Sequence, residues 1–292
     1  ELVAELRRAG LPWVEDPSNQ DPKFLRNRVR HELLPLLAGS YNPEIATALA
    51  RVAALARDAV SALDRVATAE LERLAAWEAG AVTLALGPLR ALPRQVAAEV
   101  LRQAAGRLGS QAPLRAWAHR GLRRVLAAPA PRRPFRLGGV TLEVSGPRAR
   151  LALAPLPALE PRDVSVPGRV ELPEIGLALQ ATLAAAERYA IPDEPDRVAF
   201  DADRLPPALV VRPRRAGDRL TPFGGCSRKL KDLLIDAKVP RWERCRVPVV
   251  EAGGEIVWVA RIRRGAAAPV TAATRRVLEL ALVPLAEPRA GR

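Results

Sequence analysis

Methionine is absent from the 292 residues, and histidine and cysteine occur twice each. Two cysteines, Cys226 and Cys245, cannot form a disulfide framework and are too far apart for a C-x-x-C pair. They read as free thiols, with Cys226 in a basic glycine loop. His31 and His119 have no metal-ligand or nucleophile partners at a useful spacing, so they read as surface or packing residues and no metal site is expected. Long apolar runs are missing too. Uncharged stretches such as residues 175–186 are far short of the roughly 18 residues a membrane helix needs. The first residues show no basic segment followed by an apolar run, as a secretory signal would. No G-x-G-x-x-G, G-x-x-x-x-G-K-[ST], zinc spacing or nucleophile elbow is present. What remains is an expected soluble protein of a reducing compartment, and its 49% hydrophobic and 27% charged residues exclude wholesale disorder.

Lysine is nearly absent as well. Only Lys23, Lys229, Lys231 and Lys238 occur, so 42 of the 46 basic residues are arginine, against 32 acidic ones, for a net charge of +14. A GC-rich coding sequence is one source of such an excess, and it would spread the charge evenly. The charge is not even: residues 205–292 hold 18 basic and 8 acidic side chains, a net of +10. That asymmetry favours a functional basic surface. The rare residues also cluster. All three asparagines (Asn19, Asn27, Asn42) lie near the start, and three of the four lysines lie within ten residues.

The chain opens inside a helical pattern, Glu1-Leu2-Val3-Ala4-Glu5-Leu6. With methionine absent, a further N-terminal part of the natural protein is expected ahead of it. The first helix should end at Gly10, and a turn-rich loop, residues 11–19, should lead to a helix over 24–37. Asn42-Pro43 should start a new helix, with apolar positions Ile45, Leu49, Val52, Ala56, Ala59, Leu63 and Val66. Further helices are expected over 69–79, 93–108 and 114–127. A proline-rich linker, 128–134, then gives way to short alternating runs at 135–137, 140–144, 150–153, 164–172 and 177–183, which read as strands. The last third should mix strands (209–212, 247–251, 256–262) with one helix, 228–238, ended by Pro240. The expected class is α+β, in four parts. Residues 1–40 end one domain and connect it onward, 41–128 form a helical unit, 129–204 a β-rich connecting region, and 205–292 a small, basic, mixed α/β domain.

Two clusters could carry chemistry. The first pairs Glu15-Asp16-Pro17-Ser18-Asn19 with Arg26-Asn27-Arg28-Val29-Arg30. Such a set can bind a nucleotide, Mg²⁺ or phosphate, or form a structural polar network. The second is Arg212-Pro213-Arg214-Arg215-Ala216-Gly217-Asp218-Arg219 followed by Ser227-Arg228-Lys229-Leu230-Lys231. On a helical wheel Arg228, Lys231 and Lys238 share one cationic flank, as tracking a phosphate backbone requires. Gly224-Gly225 would let backbone approach a ligand. The alternative is a solvated charged helix after a flexible turn. Trp242 either stacks on a base or caps a small core; Trp258 reads as core.

The order and spacing of these segments carry a resemblance. Glu15-Asp16-Pro17-Ser18-Asn19, Phe24-Leu25-Arg26-Asn27-Arg28-Val29-Arg30 and Leu33-Leu34-Pro35 resemble the signature that follows the catalytic core of tRNA(Ile)-lysidine synthetases. Val211-Arg212-Pro213-Arg214-Arg215-Ala216-Gly217-Asp218-Arg219, Lys229-Leu230-Lys231-Asp232, Lys238-Val239-Pro240 and Ile256-Val257-Trp258-Val259 are similar to that family's C-terminal domain. The helical middle resembles the family's substrate-binding region loosely, and the β-rich stretch matches mainly at Pro167-Gly168. After the Trp-Val strand the family more often has a glycine where this chain has Arg261, which puts the local turn in question.

The resemblance implies a cytoplasmic, ATP-dependent ligase of the PP-loop class. Such enzymes adenylate the C2 oxygen of the wobble cytidine of a CAU-anticodon tRNA(Ile), and the ε-amine of free lysine then displaces AMP. It implies ATP and Mg²⁺ as cofactors, tRNA(Ile) and lysine as partners and no membrane, and it allows a homodimer. It puts Arg26, Asn27 and Arg30 near the catalytic cleft, with Asp16 and Asn19 supporting the cofactor site. Arg212, Arg214, Arg215, Asp218, Arg219, Arg228, Lys229, Lys231 and Lys238 would grip the tRNA. The family's S-G-G-x-D-S loop is not in this chain, so the polypeptide is expected to bind tRNA without adenylating it. The alternative is a standalone RNA-binding module with no catalysis of its own. A third reading is an interaction protein whose charge is mere arginine bias.

Overall fold

The computed structural model describes residues 2–12, 14, 16–113, 116–131 and 133–285. Within the sequence expectations, Glu15, residues 114–115 at the start of one helix, Arg132 of the linker and the last residues of the basic domain lie outside it. The chain divides into two compact units, Glu1–Ala69 and Glu70–Arg292. No helix among the described residues is long and apolar enough to cross a membrane.

The first unit is helical. Helix α1 (Leu2–Arg8) ends as expected, with Gly10 in left-handed backbone at φ +65°. Asp16 caps a 3-10 turn, Pro17–Gln20, by accepting the Ser18 N–H at 2.9 Å. The helix expected over 24–37 is a run of α2 (Leu25–Arg28), a π-helical turn (Val29–Leu33) and α3 (Leu34–Ser40). Asn42 starts α4 (Ile45–Leu74), its Oδ1 accepting the Glu44 N–H. The alanine-rich sequence of α4 favours helix with no help from packing. It runs past the break read near residue 69, and the helix expected over 69–79 is not formed as such. Its second half is strand β1 (Ala75–Glu78), which turns through Gly80 at φ +69° into β2 (Ala81–Ala85).

In the second unit, α5 (Leu86–Ala91), α6 (Arg94–Arg107), a π-helical turn (Trp117–Gly121) and α7 (Leu122–Leu126) follow that hairpin. The first antiparallel sheet has the order β1-β2-β5-β4-β3, adding β3 (Phe135–Leu137), β4 (Val140–Ser145) and β5 (Arg148–Ala152). Its register aligns Val82, Leu151 and Leu142, all buried. Trp117 is fully buried against Phe135, edge to face at 5.9 Å, and donates its indole N–H to Ser110 Oγ.

Two further sheets share one core. Strands β7 (Gly168–Leu172), β8 (Leu177–Ala185), β16 (Arg276–Pro284) and β9 (Arg197–Asp201) form one. Strands β15 (Arg263–Arg264), β14 (Glu255–Val259), β13 (Val249–Ala252), β10 (Leu209–Arg212) and β6 (Arg162–Val164) form the other. The single strand expected over 164–172 is therefore two strands in different sheets. Between the sheets lie Phe200, Leu179, Leu278 and Leu280 with Val211, Val250, Val257 and Trp258. The period-2 alternation sends Val249 and Val259 to the opposite face, onto helix α8 (Leu230–Asp236) with Leu230, Leu233 and Leu234. Strands β9 and β16 were not anticipated. Arg261 adopts the left-handed backbone (φ +63°) that favours glycine, so the turn survives the substitution and Arg261 pairs with Asp196.

Candidate nucleic-acid interface

Strand β10 delivers Arg212 into the interior rather than to solvent. Its side chain is 5% exposed, with Nε donating to Glu251 at 2.6 Å and both terminal nitrogens donating to Asp218, at 2.9 and 3.1 Å. Asp218 also accepts the Arg215 N–H at 2.6 Å. Burial pushes the Asp218 carboxyl up. The hydrogen bonds from Arg212 and the Arg215 backbone outweigh that and hold it below the usual carboxylate range. Arg212 and Asp218 thus brace the 213–218 loop from beneath, and the loop presents Arg214 and Arg215 as exposed side chains.

The next segment corrects the expected helix over 228–238. Arg228 and Lys229 form a short strand, β12, paired with β11 (Arg219–Leu220). The helix begins only at Leu230, whose N–H donates to Asp218 O at 2.9 Å. Lys238 lies beyond the helix end at φ +55°. The flank of Arg228, Lys231 and Lys238 is therefore not one helical stripe, and Arg228 is neutralised by Asp236 at 2.6 Å. Arg219 is spent on the glycine loop, donating to Ser227 Oγ and Ser227 O, both at 3.0 Å. Lys229 and Lys231 remain exposed.

Tertiary folding regroups the cations elsewhere. Lys231, Lys238, Arg241 and Arg244 line one cleft of about 650 Å³, with Ile235 and Val239. The opposite wall is the Ser145-Gly146-Pro147 turn between β4 and β5. Ser145 Oγ accepts the Arg241 N–H at 3.1 Å, across 96 positions of sequence. Arg244 Nε donates to Val239 O at 3.0 Å. Burial lowers the Arg244 pKa, and the Arg214 and Arg241 guanidiniums lower it further. Among the described residues, no carboxylate lines the cleft. Several like charges around an unbalanced concavity raise the local concentration of anions. Arg241 and Arg244 were passed over in the sequence. Their three-residue spacing within Pro240-Arg241-Trp242-Glu243-Arg244 was the available signal, since it puts both on one side of a single turn. Trp242 between them is 7% exposed and caps the core, so it is not a stacking platform.

Where the structure describes it, the N-terminal cluster is joined by internal hydrogen bonds. Asn27 is buried, and its amide donates to Ser18 O at 2.7 Å and Asp21 O at 2.9 Å. The Ser18 hydrogen bonds hold the Asp16 carboxyl below its usual range. Arg26 lies over the Phe24 ring at 5.6 Å, and Asn19 and Arg30 are exposed. Among the described residues, no three carboxylate, histidine or cysteine side chains converge as a cation site would require. With Asp16 and Asn27 committed to the loop and no phosphate-cradling glycine loop in the sequence, these residues do not by themselves fit an ATP–Mg²⁺ group.

Residues 209–280 match the family model described as TilS substrate C-terminal domain, and residues 1–37 match the PP-loop domain model. The chain is 33% identical over 288 residues to the tRNA(Ile)-lysidine synthase of Symbiobacterium thermophilum, covering 90% of this chain and 58% of that protein. To the protein of the same name from Azoarcus sp. it is 35% identical over 270 residues, covering 89% and 54%. A solved structure titled as the TILS C-terminal domain is 30% identical, with a TM-score of 0.39, covering 44% of this chain and 100% of that one. The chain spans a little over half the length of the curated relatives it matches.

Proposed function

The chain belongs to the tRNA(Ile)-lysidine synthase family, and from that premise we propose that it binds and positions tRNA(Ile) for lysine attachment at C2 of the wobble cytidine. The observation that carries this reading is the carboxylate-free cleft of Lys231, Lys238, Arg241 and Arg244. Duplex RNA offers it what it lacks, a row of closely spaced negative charges. Ile235, Val239 and Pro147 give the cleft an apolar part against which ribose can lie. Arg214, Arg215 and Lys229 extend the cationic surface, while Arg212, Asp218 and Arg219 hold its loops. The whole enzyme would use ATP, Mg²⁺ and free lysine in the cytoplasm. This polypeptide has no S-G-G-x-D-S loop, and we propose that alone it binds the tRNA without adenylating it. Arg26 and Arg30, exposed on the N-terminal helices, are the residues we would place nearest the reaction, with Asn27 and Asp16 shaping the loop beneath them.

The test is filter binding of a CAU-anticodon tRNA(Ile) transcript over a range of salt. Wild type should bind with a steep salt slope. Replacing Lys231 and Arg244 together by Gln should weaken binding at least tenfold and cut the log–log slope by about two units. An unchanged slope would sink the cleft assignment. Lysidine formation by this polypeptide with ATP and lysine would overturn the claim that it only binds.

A further inference from the structure

A second concavity, of about 400 Å³, has a different chemistry. Phe223, Ile191, Asp193, Glu194, Arg263 and Arg264 are among its lining residues. Phe223 is 63% exposed and sits just ahead of Gly224-Gly225, yet its backbone is anchored. The Phe223 N–H donates to Arg264 O at 3.4 Å, the Ala266 N–H donates to Thr221 O at 2.8 Å, and Pro222 bridges Gly265. Beneath the ring lies Arg264, its guanidinium carbon 5.3 Å from the Phe223 centroid and 4.5 Å from that of buried Phe200. Among the described residues, Arg264 has no carboxylate partner. Its nitrogens donate to the carbonyls of Ala199, Gly265, Ala267 and Ala268. A half-buried guanidinium held by four carbonyls between two aromatic rings supports the exposed ring above it.

We infer that Phe223 is a stacking platform for an unpaired nucleobase of the bound RNA. The inference rests on the tRNA-binding reading and adds to it a site for single-stranded RNA. A flat aromatic surface held in place before binding costs little entropy to use. The carboxylates separate this cleft from the cationic one. Glu194 is paired with Arg197 at 3.4 Å, so Asp193 is the carboxylate that would accept a hydrogen bond from the exocyclic amino group of adenine, cytosine or guanine, which uracil lacks. Arg263, which forms no ion pair among the described residues, is the phosphate partner at the rim.

The probe is a short single-stranded oligoadenylate carrying one 2-aminopurine, with oligouridylate for comparison and the tRNA(Ile) transcript alongside. Wild type should bind oligoadenylate more tightly than oligouridylate and quench the 2-aminopurine. Phe223→Ala and Phe223→Leu should each lose about tenfold in oligoadenylate affinity together with the quench, and Phe223→Trp should restore both. Asp193→Asn should narrow the gap between oligoadenylate and oligouridylate. Thermal melts establish that each variant is folded, and Phe223→Leu keeps apolar bulk if Phe223→Ala is not. If wild type binds the transcript but not oligoadenylate, or binds oligoadenylate equally well after Phe223→Leu, the stacking site is overturned and the cationic cleft stands. If wild type binds neither RNA, the tRNA-binding reading itself fails.

Discussion

The two units of this chain reach their secondary structure by different routes. Among the described residues up to Ala69, only Asn27 and Ala67 are buried. Helix α4 shows the expected apolar periodicity, yet Leu49, Val52, Leu55, Val60 and Val66 are all about half or more exposed. Up to Val66 the helix is accounted for by alanine propensity and the Asn42 cap; only its last turns bury side chains, at Ala67, Leu71 and Leu74. From Glu70 onward the reverse holds. Strands such as β16 exist because Leu278 and Leu280 are buried against a facing sheet, and local propensity alone does not mark them. Periodicity tells which face of an element is apolar; burial depends on what that face meets.

That contrast can be broken by measurement. The largest effect should come from Leu280→Ala, which empties a fully buried position between two sheets. Urea unfolding should show a loss of about 3–5 kcal/mol. A loss under 1 kcal/mol would mean that the shared core does not hold the second unit together.

An intermediate effect is expected at Asp218, and it depends on pH. Its folded pKa is held below the unfolded value, so its stabilising contribution is fully present above about pH 4 and is lost as the pH falls through the folded value. Asp218→Asn should therefore cost about 2 kcal/mol at pH 7, from two weakened charge-assisted bonds to Arg212. The gap to wild type should shrink steadily below pH 4. A gap independent of pH would remove Arg212–Asp218 as the brace of the loop. The smallest effect is expected in the first unit. Val52→Ala, on the exposed face of α4, should change stability by no more than about 0.5 kcal/mol. A loss comparable to that of Leu280→Ala would show that this face is covered in solution.

Much of the architecture was legible because its signals are local. Gly10 and Asn42 mark helix ends, α6 falls within one residue of its expected limits, and β4, β8 and β10 follow their alternation. The β1–β2 hairpin was hidden because Ala75-Ala76-Trp77-Glu78 reads equally as helix, and its partner β5 lies far along the chain. The candidate site was half legible. The basic segment was apparent, but not the division of labour within it. Arg212 and Arg214 look alike in sequence, and only the neighbours Asp218 and Glu251 turn the first inward.

By itself, the sequence determined an α+β protein that resembles the tRNA(Ile)-lysidine synthases, with its positive charge gathered in the last third. Composition, motif order and spacing are properties of the chain and survive any packing. The tertiary structure decided which cations share a cleft, that the Ser145–Pro147 turn forms its other wall, and that Phe223 rather than Trp242 offers a ring to solvent. Electrostatic focusing and stacking depend on distances between residues remote in sequence, and those distances exist only once the sheets have paired and the core has closed.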